Sequence, residues 1–182
     1  MAIKTFTTGE VLTASDTNTY LANSGLVYIK QQTVGSAVAS VTVSSAFSAD
    51  YDSYKIIWTG GTQSADTNTM LKLGATATGY YGAYVYATYA GGGPLVAGDN
   101  NANQFSFAGG GASNSAAVNV DIHNPFSSYR TRISAFNIVY STICGTYSGV
   151  LADTTSYTAF TLQPSSGTLS GGIIFVYGYR KS

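Results

Sequence analysis

The sequence predicts an all-β fold, a jelly-roll-like β-sandwich of about ten strands preceded by a short N-terminal helical attachment segment. Three observations lead there. The chain is rich in residues that suit strands and tight turns, with 21 Gly, 15 Tyr and long stretches of Ser, Thr, Ala and Asn. It holds a single glutamate, Glu10, and few other long-chain helix formers, which excludes a helical bundle. From Leu26 onward its apolar residues recur with period two, the spacing of a half-buried strand.

The first 25 residues read differently from the rest. Thr13-Ala14-Ser15-Asp16 has the spacing of a capping box, with Thr13 as N-cap and Asp16 in place of the usual Glu or Gln. A helix of about two turns follows through Tyr20 and Leu21 and stops near Asn23-Ser24-Gly25, where Gly25 suits a left-handed C-terminal residue. Helices shorter than about 12–15 residues are marginal alone in water. Val11, Leu12, Tyr20 and Leu21 are therefore expected to dock on the body, a sister subunit or another protein, and they are the candidate attachment and oligomer-interface residues.

Strands are then predicted at 26–34, 38–43, 54–59, 70–73, 80–89, 104–107, 117–123, 133–140, 143–147, 157–162 and 173–179. In the fifth, Tyr84 and Tyr86 fall on one face and Tyr81, Val85 and Tyr89 on the other. In the seventh, Val118, Val120 and Ile122 point inward, and Asn119, Asp121 and His123 outward. Gly60 to Asn68, Gly91 to Asn103 and Gly109 to Ser115 read as three long loops, the usual location of recognition surfaces. The division is thus an attachment segment at 1–25 and a sandwich domain at 26–182.

Composition also bounds the partners. The charged fraction is 9%, against roughly 25% in typical soluble domains. Eight basic and eight acidic side chains give a formal net charge of zero, so there is no basic footprint for nucleic acid. A neutral chain does little to keep its copies apart, which favours assembly. No apolar signal region follows Met1-Ala2-Ile3-Lys4, and no run of about 18 apolar residues could span a membrane. The expectation is synthesis in a cytoplasm with no membrane partner. Cys144, the single cysteine, forms no internal disulfide and reads as a small buried side chain.

The materials for catalysis are scarce. His123 is the only histidine and lies on an outward strand face before Asn124-Pro125. One His and one Cys do not make a zinc site of the usual kinds, and no metal or cofactor is expected. Asp50 and Asp52 are the one close carboxylate pair, and they read as turn residues, with a calcium site as the alternative. Neither Gly91-Gly92-Gly93 nor Gly109-Gly110-Gly111 is followed by the Lys-Ser/Thr of a phosphate loop. The chain reads as a non-enzyme, with no catalytic residue assigned. Tyr80, Tyr84 and Tyr86 are the remaining functional candidates. Subunit interface, plain sheet surface and glycan contact are the three readings of that aromatic strand.

Residues 5–21, Thr5-Phe6-Thr7-Thr8-Gly9-Glu10-Val11-Leu12-Thr13-Ala14-Ser15-Asp16-Thr17-Asn18-Thr19-Tyr20-Leu21, resemble a segment that opens many tailed-bacteriophage tail-fibre and minor virion proteins. The shared pattern, F-T-x-G-x-x-L-T-A-x-x-x-N, is met at Phe6, Thr7, Gly9, Leu12, Thr13, Ala14 and Asn18. The Tyr51–Ile56 segment, the Asn124–Arg132 corner and the closing Gly172–Arg180 strand are similar in style to phage β-sandwich domains. The resemblance implies a homotrimeric virion structural protein attached through its N-terminus to tail or capsid proteins. It implies a short tail fibre or receptor-binding knob, which would contact host surface glycan. A capsid decoration protein (cement or head fibre) is the alternative, and a polysaccharide depolymerase a remote one.

Overall fold

A computed structural model describes residues 7–17, 25–139 and 142–181. Apart from one helical turn, the regular structure of these residues is antiparallel β-sheet. The turn, α1 (Ala14–Asp16), starts where the sequence places it. Thr13 Oγ1 accepts from the Asp16 amide at 3.1 Å, and Asp16 Oδ2 accepts from the Thr13 amide at 3.2 Å, so aspartate completes the capping box. The rest of the predicted helix, with Tyr20 and Leu21, lies outside the described residues.

Thirteen strands follow: β1 (Leu26–Thr33), β2 (Val41–Val43), β3 (Ser53–Gln63), β4 (Thr67–Leu73), β5 (Tyr80–Thr88), β6 (Leu95–Ala102) and β7 (Phe105–Ala112), then β8 (Ser115–His123), β9 (Arg132–Val139), β10 (Ile143–Leu151), β11 (Phe160–Pro164), β12 (Leu169–Ser170) and β13 (Ile173–Tyr179). One run of neighbours is β1-β13-β3-β8-β9-β10-β5-β6. The sheet divides at β8. Ala116–Val118 pair with Gly109–Gly111 of β7, whereas Val120–His123 pair with Arg132–Ala135 of β9. From β7 the second branch continues through β4 and β11 to β2. The two branches enclose one sandwich-like core, into which Tyr54, Ile56 and Trp58, Leu71 and Leu73, Val118, Val120 and Ile122, Phe160, and Ile174 and Val176 all point. Alternation on β8 is as expected, with Asn119 and His123 outside.

The three glycine-rich stretches are mostly strand. β3 runs on through Gly60 and Gly61 to Gln63, β6 occupies 95–102, and β7 holds Gly109, Gly110 and Gly111. These glycines serve close approach. A Cβ on Gly61 would lie 2.4 Å from the Trp58 ring, and one on Gly109 2.4 Å from the Ala117 carbonyl oxygen. Reading such residues as turn formers mistakes a packing requirement for a loop.

Two further expectations are corrected. Tyr80 and Tyr84 are 0% and 1% exposed, and Tyr86 is half-buried against the same core, so they are not surface aromatics. Their rings are claimed from inside: Tyr80 meets Phe105 edge-on at 4.8 Å, and Tyr84 stacks on Tyr86 at 4.8 Å and on Phe107 at 4.6 Å. Cys144 is exposed, because Tyr147 and Leu151 set the phase of β10 and turn Cys144 outward.

The buried tyrosines differ in how their hydroxyls are held. Tyr147 donates to Asp99 at 2.6 Å, and Asp99 also accepts from the Ser106 amide and hydroxyl. Burial and this carboxylate push the Tyr147 phenol far above its ordinary value. The Tyr84 hydroxyl has no partner among the described residues, and burial raises it to about 12. Tyr147→Phe is therefore expected to cost about 1–2 kcal/mol, while Tyr84→Phe is neutral or slightly stabilising. Urea melts of the two variants check this, and equal losses would contradict it.

Candidate functional site

Side chains that the core does not use collect on the outer face of the eight-strand run. The registers align them in rows. Gln31 pairs with Phe175, Phe175 with Ile57, and Ile57 with Asn119. Beside Asn119 stands Phe136, which pairs with Thr146; Thr146 pairs with Val85, and Val85 with Val96. In a flanking row, Ile138 pairs with Cys144, and Cys144 with Ala87. Phe136 is 64% exposed and Val96 78%, and Ile138, Val85, Tyr81 and Tyr89 are exposed with them. Isolated apolar residues at a surface are ordinary; here they adjoin in one contiguous apolar patch, a kind of surface that is often functional.

Three shallow hollows adjoin along the face. One of about 170 Å³ lies between Lys55, Asn119, Asp121, Ser134 and Phe136. Across the Phe136 ring, a second of about 280 Å³ is lined by Ala117, Asn119, Phe136 and Ile138. A third of about 250 Å³ shares Ala117 and Ile138 and reaches Tyr89 and Gly110. Phe136 is thus a ridge with a polar hollow on one side and apolar ones on the other.

The polar side is a fixed network. Lys55 Nζ lies 2.9 Å from Asp121 Oδ2, and the Tyr179 hydroxyl donates to Asp121 Oδ1 at 2.5 Å. Donation to a carboxylate favours the protonated phenol, and Tyr179 is pushed up to about 12. Tyr28 and Tyr177 meet edge-to-face at 5.9 Å toward β1. The charges of the face are gathered at this end, while the part formed by β10, β5 and β6 carries none among the described outward side chains.

Val11 and Leu12 are 77% and 50% exposed beside α1, buried against nothing described. His123 faces outward, with Nδ1 2.9 Å from Ser53 Oγ across the β3–β8 pair. Among the described residues, no hydrogen bond is seen between a carboxylate and that ring. The other carboxylates have structural partners. Asp50 accepts from Ser48 in its turn, Asp52 pairs with Lys181 at 2.7 Å, and Asp153 accepts from the Thr155 amide and the Tyr157 hydroxyl. Hydrogen bonding to Thr155 lowers the Asp153 carboxyl below its ordinary value. Among the described residues, no three His, Cys, Asp or Glu side chains converge as metal ligands.

Sequence reasoning did not single out Phe136, Ile138 or Val96. The signal was there in β9, where Ile133-Ser134-Ala135-Phe136-Asn137-Ile138-Val139 is apolar on both faces and so cannot be a strand with one wet side. No family model and no curated protein matches this chain, so its role is argued from the chemistry of this face and of the N-terminal turn.

Proposed function

We propose that this chain is a non-enzymatic structural protein of a tailed-phage particle, a jelly-roll-like sandwich anchored through the residues before Gly25. The observation that carries this reading is a preformed, capped turn that exposes Val11 and Leu12 ahead of a body with its own core. Two adjacent large apolar side chains, exposed just ahead of a turn that buries nothing described, suit contact with another surface. The likeness of residues 5–21 to virion attachment segments supplies the kind of partner, another particle protein, and the expectation of a homotrimer. A short tail fibre or receptor-binding knob is the first reading. Capsid decoration is the second, and the uncharged part of the outer face favours it, since such a surface suits contact with neighbouring proteins and needs no glycan.

The test is incorporation. The double variant Val11→Asp/Leu12→Asp should leave the melting of the free chain unchanged, because neither side chain belongs to the core. Two charges in a desolvated contact cost several kcal/mol, so copies per purified particle should fall at least about tenfold. Quantitative mass spectrometry of particles reads this directly. Undiminished incorporation of the variant, or absence of the parent chain from particles, would sink the proposal.

A further inference from the structure

We propose that a second copy of this chain covers the uncharged part of the outer face, centred on Phe136, Ile138, Val85 and Val96. This rests on the oligomeric part of the reading above, and it assigns that part a surface.

Area is the first argument. Phe136, Ile138, Val85, Val96 and Tyr89, each about half exposed or more, together present an apolar surface on the order of 500 Å². The largest apolar patch on a monomeric protein is about 300–600 Å² and is often functional. With the short side chains between them, Ala83, Thr146 and Ser148, the face is on the order of the 800 Å² per partner that a standard interface buries.

Charge is the second. Among the described outward side chains of β9, β10, β5 and β6, only Arg132 is charged, and it sits at one end, paired with Val150 and His123. The one acid of β6, Asp99, is turned inward to Tyr147 and Ser106. Apart from that terminal Arg132, a nucleic acid or an anionic membrane would find no cation here, and a charged protein no counter-charge. A second copy brings an equally uncharged face from a molecule of formal net charge zero, so neither long-range repulsion nor an unpaired buried charge opposes the contact. The patch also reaches an open sheet edge. β6 pairs with β5 alone among the described strands, so its outer edge is unpaired there.

The full chain is tested by sedimentation velocity and native mass spectrometry over a dilution series. The parent should be oligomeric, and Phe136→Asp and Val85→Asp should each weaken association at least about tenfold with unchanged circular dichroism. Tyr28→Asp, at the β1 end of the same sheet, should leave association intact. Cys144, the single cysteine, lies exposed inside the patch beside Ile138 and reports without any substitution. Its reaction with a maleimide should slow as parent concentration rises. A parent that stays monomeric, a Cys144 rate independent of concentration, a Phe136→Asp variant that assembles normally, or a Tyr28→Asp variant that falls apart equally would each overturn the proposal. A self-associating chain absent from particles would overturn only the virion reading, and a monomeric chain present in particles only this one.

Discussion

Gly110→Val is expected to break the fold where its two branches meet. Gly110 lies on β7 directly against β9, and even a Cβ there would stand 2.5 Å from the Ile138 carbonyl oxygen and 2.9 Å from its carbon. Both are backbone atoms and cannot swing aside as a flexible side chain would. Asn137 fixes the same contact, donating from Nδ2 to the Gly109 carbonyl at 2.9 Å and to Asn68 Oδ1 at 3.0 Å. Pushing β7 away therefore strains β9 and strips hydrogen bonds from a fully buried amide. Overpacking of a rigid core costs about 1–3 kcal/mol, and the lost pairing with Gly109 adds about 1–3 more. Urea denaturation should show a midpoint far below the parent, and the variant should accumulate poorly. A midpoint close to the parent would mean that the two branches do not meet as described.

Trp58→Ala is the second large effect. Trp58 is fully buried in the middle of the core, its ring covers Gly61, and its Nε1 donates to the Gly171 carbonyl at 3.1 Å. Truncation removes the ring and leaves both a cavity and an orphaned carbonyl, for about 3–5 kcal/mol. In a domain whose whole stability is about 5–15 kcal/mol, that is enough to populate unfolded chain at ordinary temperature. Trp58→Phe keeps most of the packing and loses the Gly171 bond, so its loss should be about half as large. Thermal melts followed by circular dichroism order the three proteins. Equal melting of the alanine variant and the parent would contradict this core.

Much of the antiparallel β-structure was legible because period two is a strong signal where one face is buried. Val118, Val120 and Ile122 are the plain case. Periodicity splits a strand into two faces but does not say which one is the core. Tyr84 and Tyr86 do share a face, yet only Phe105 and Phe107 from β7 and Tyr147 from the neighbouring β10 make it the inner one. β6, read as loop, is Leu95-Val96-Ala97-Gly98-Asp99-Asn100-Asn101-Ala102, a stretch with almost no β-branched residues. It holds its place through pairing with β5, through Asn101 accepting from the Gly79 amide, and through Asp99 bonded to Ser106 and Tyr147, none of which local sequence reveals. The candidate face was hidden for a related reason. Phe136 lies far from Val85 and Val96 in the chain, and only the register through Thr146 brings it into their row.

The most direct test of the account is cryo-electron microscopy of the intact particle with the density of this protein located. Copies are expected on the tail or capsid, with the segment before Gly25 seated in another particle protein and the Phe136–Val85–Val96 face covered by a neighbouring copy. Particles lacking that density, or copies bound through some other surface with the N-terminal turn and the outer face open to solvent, would contradict it.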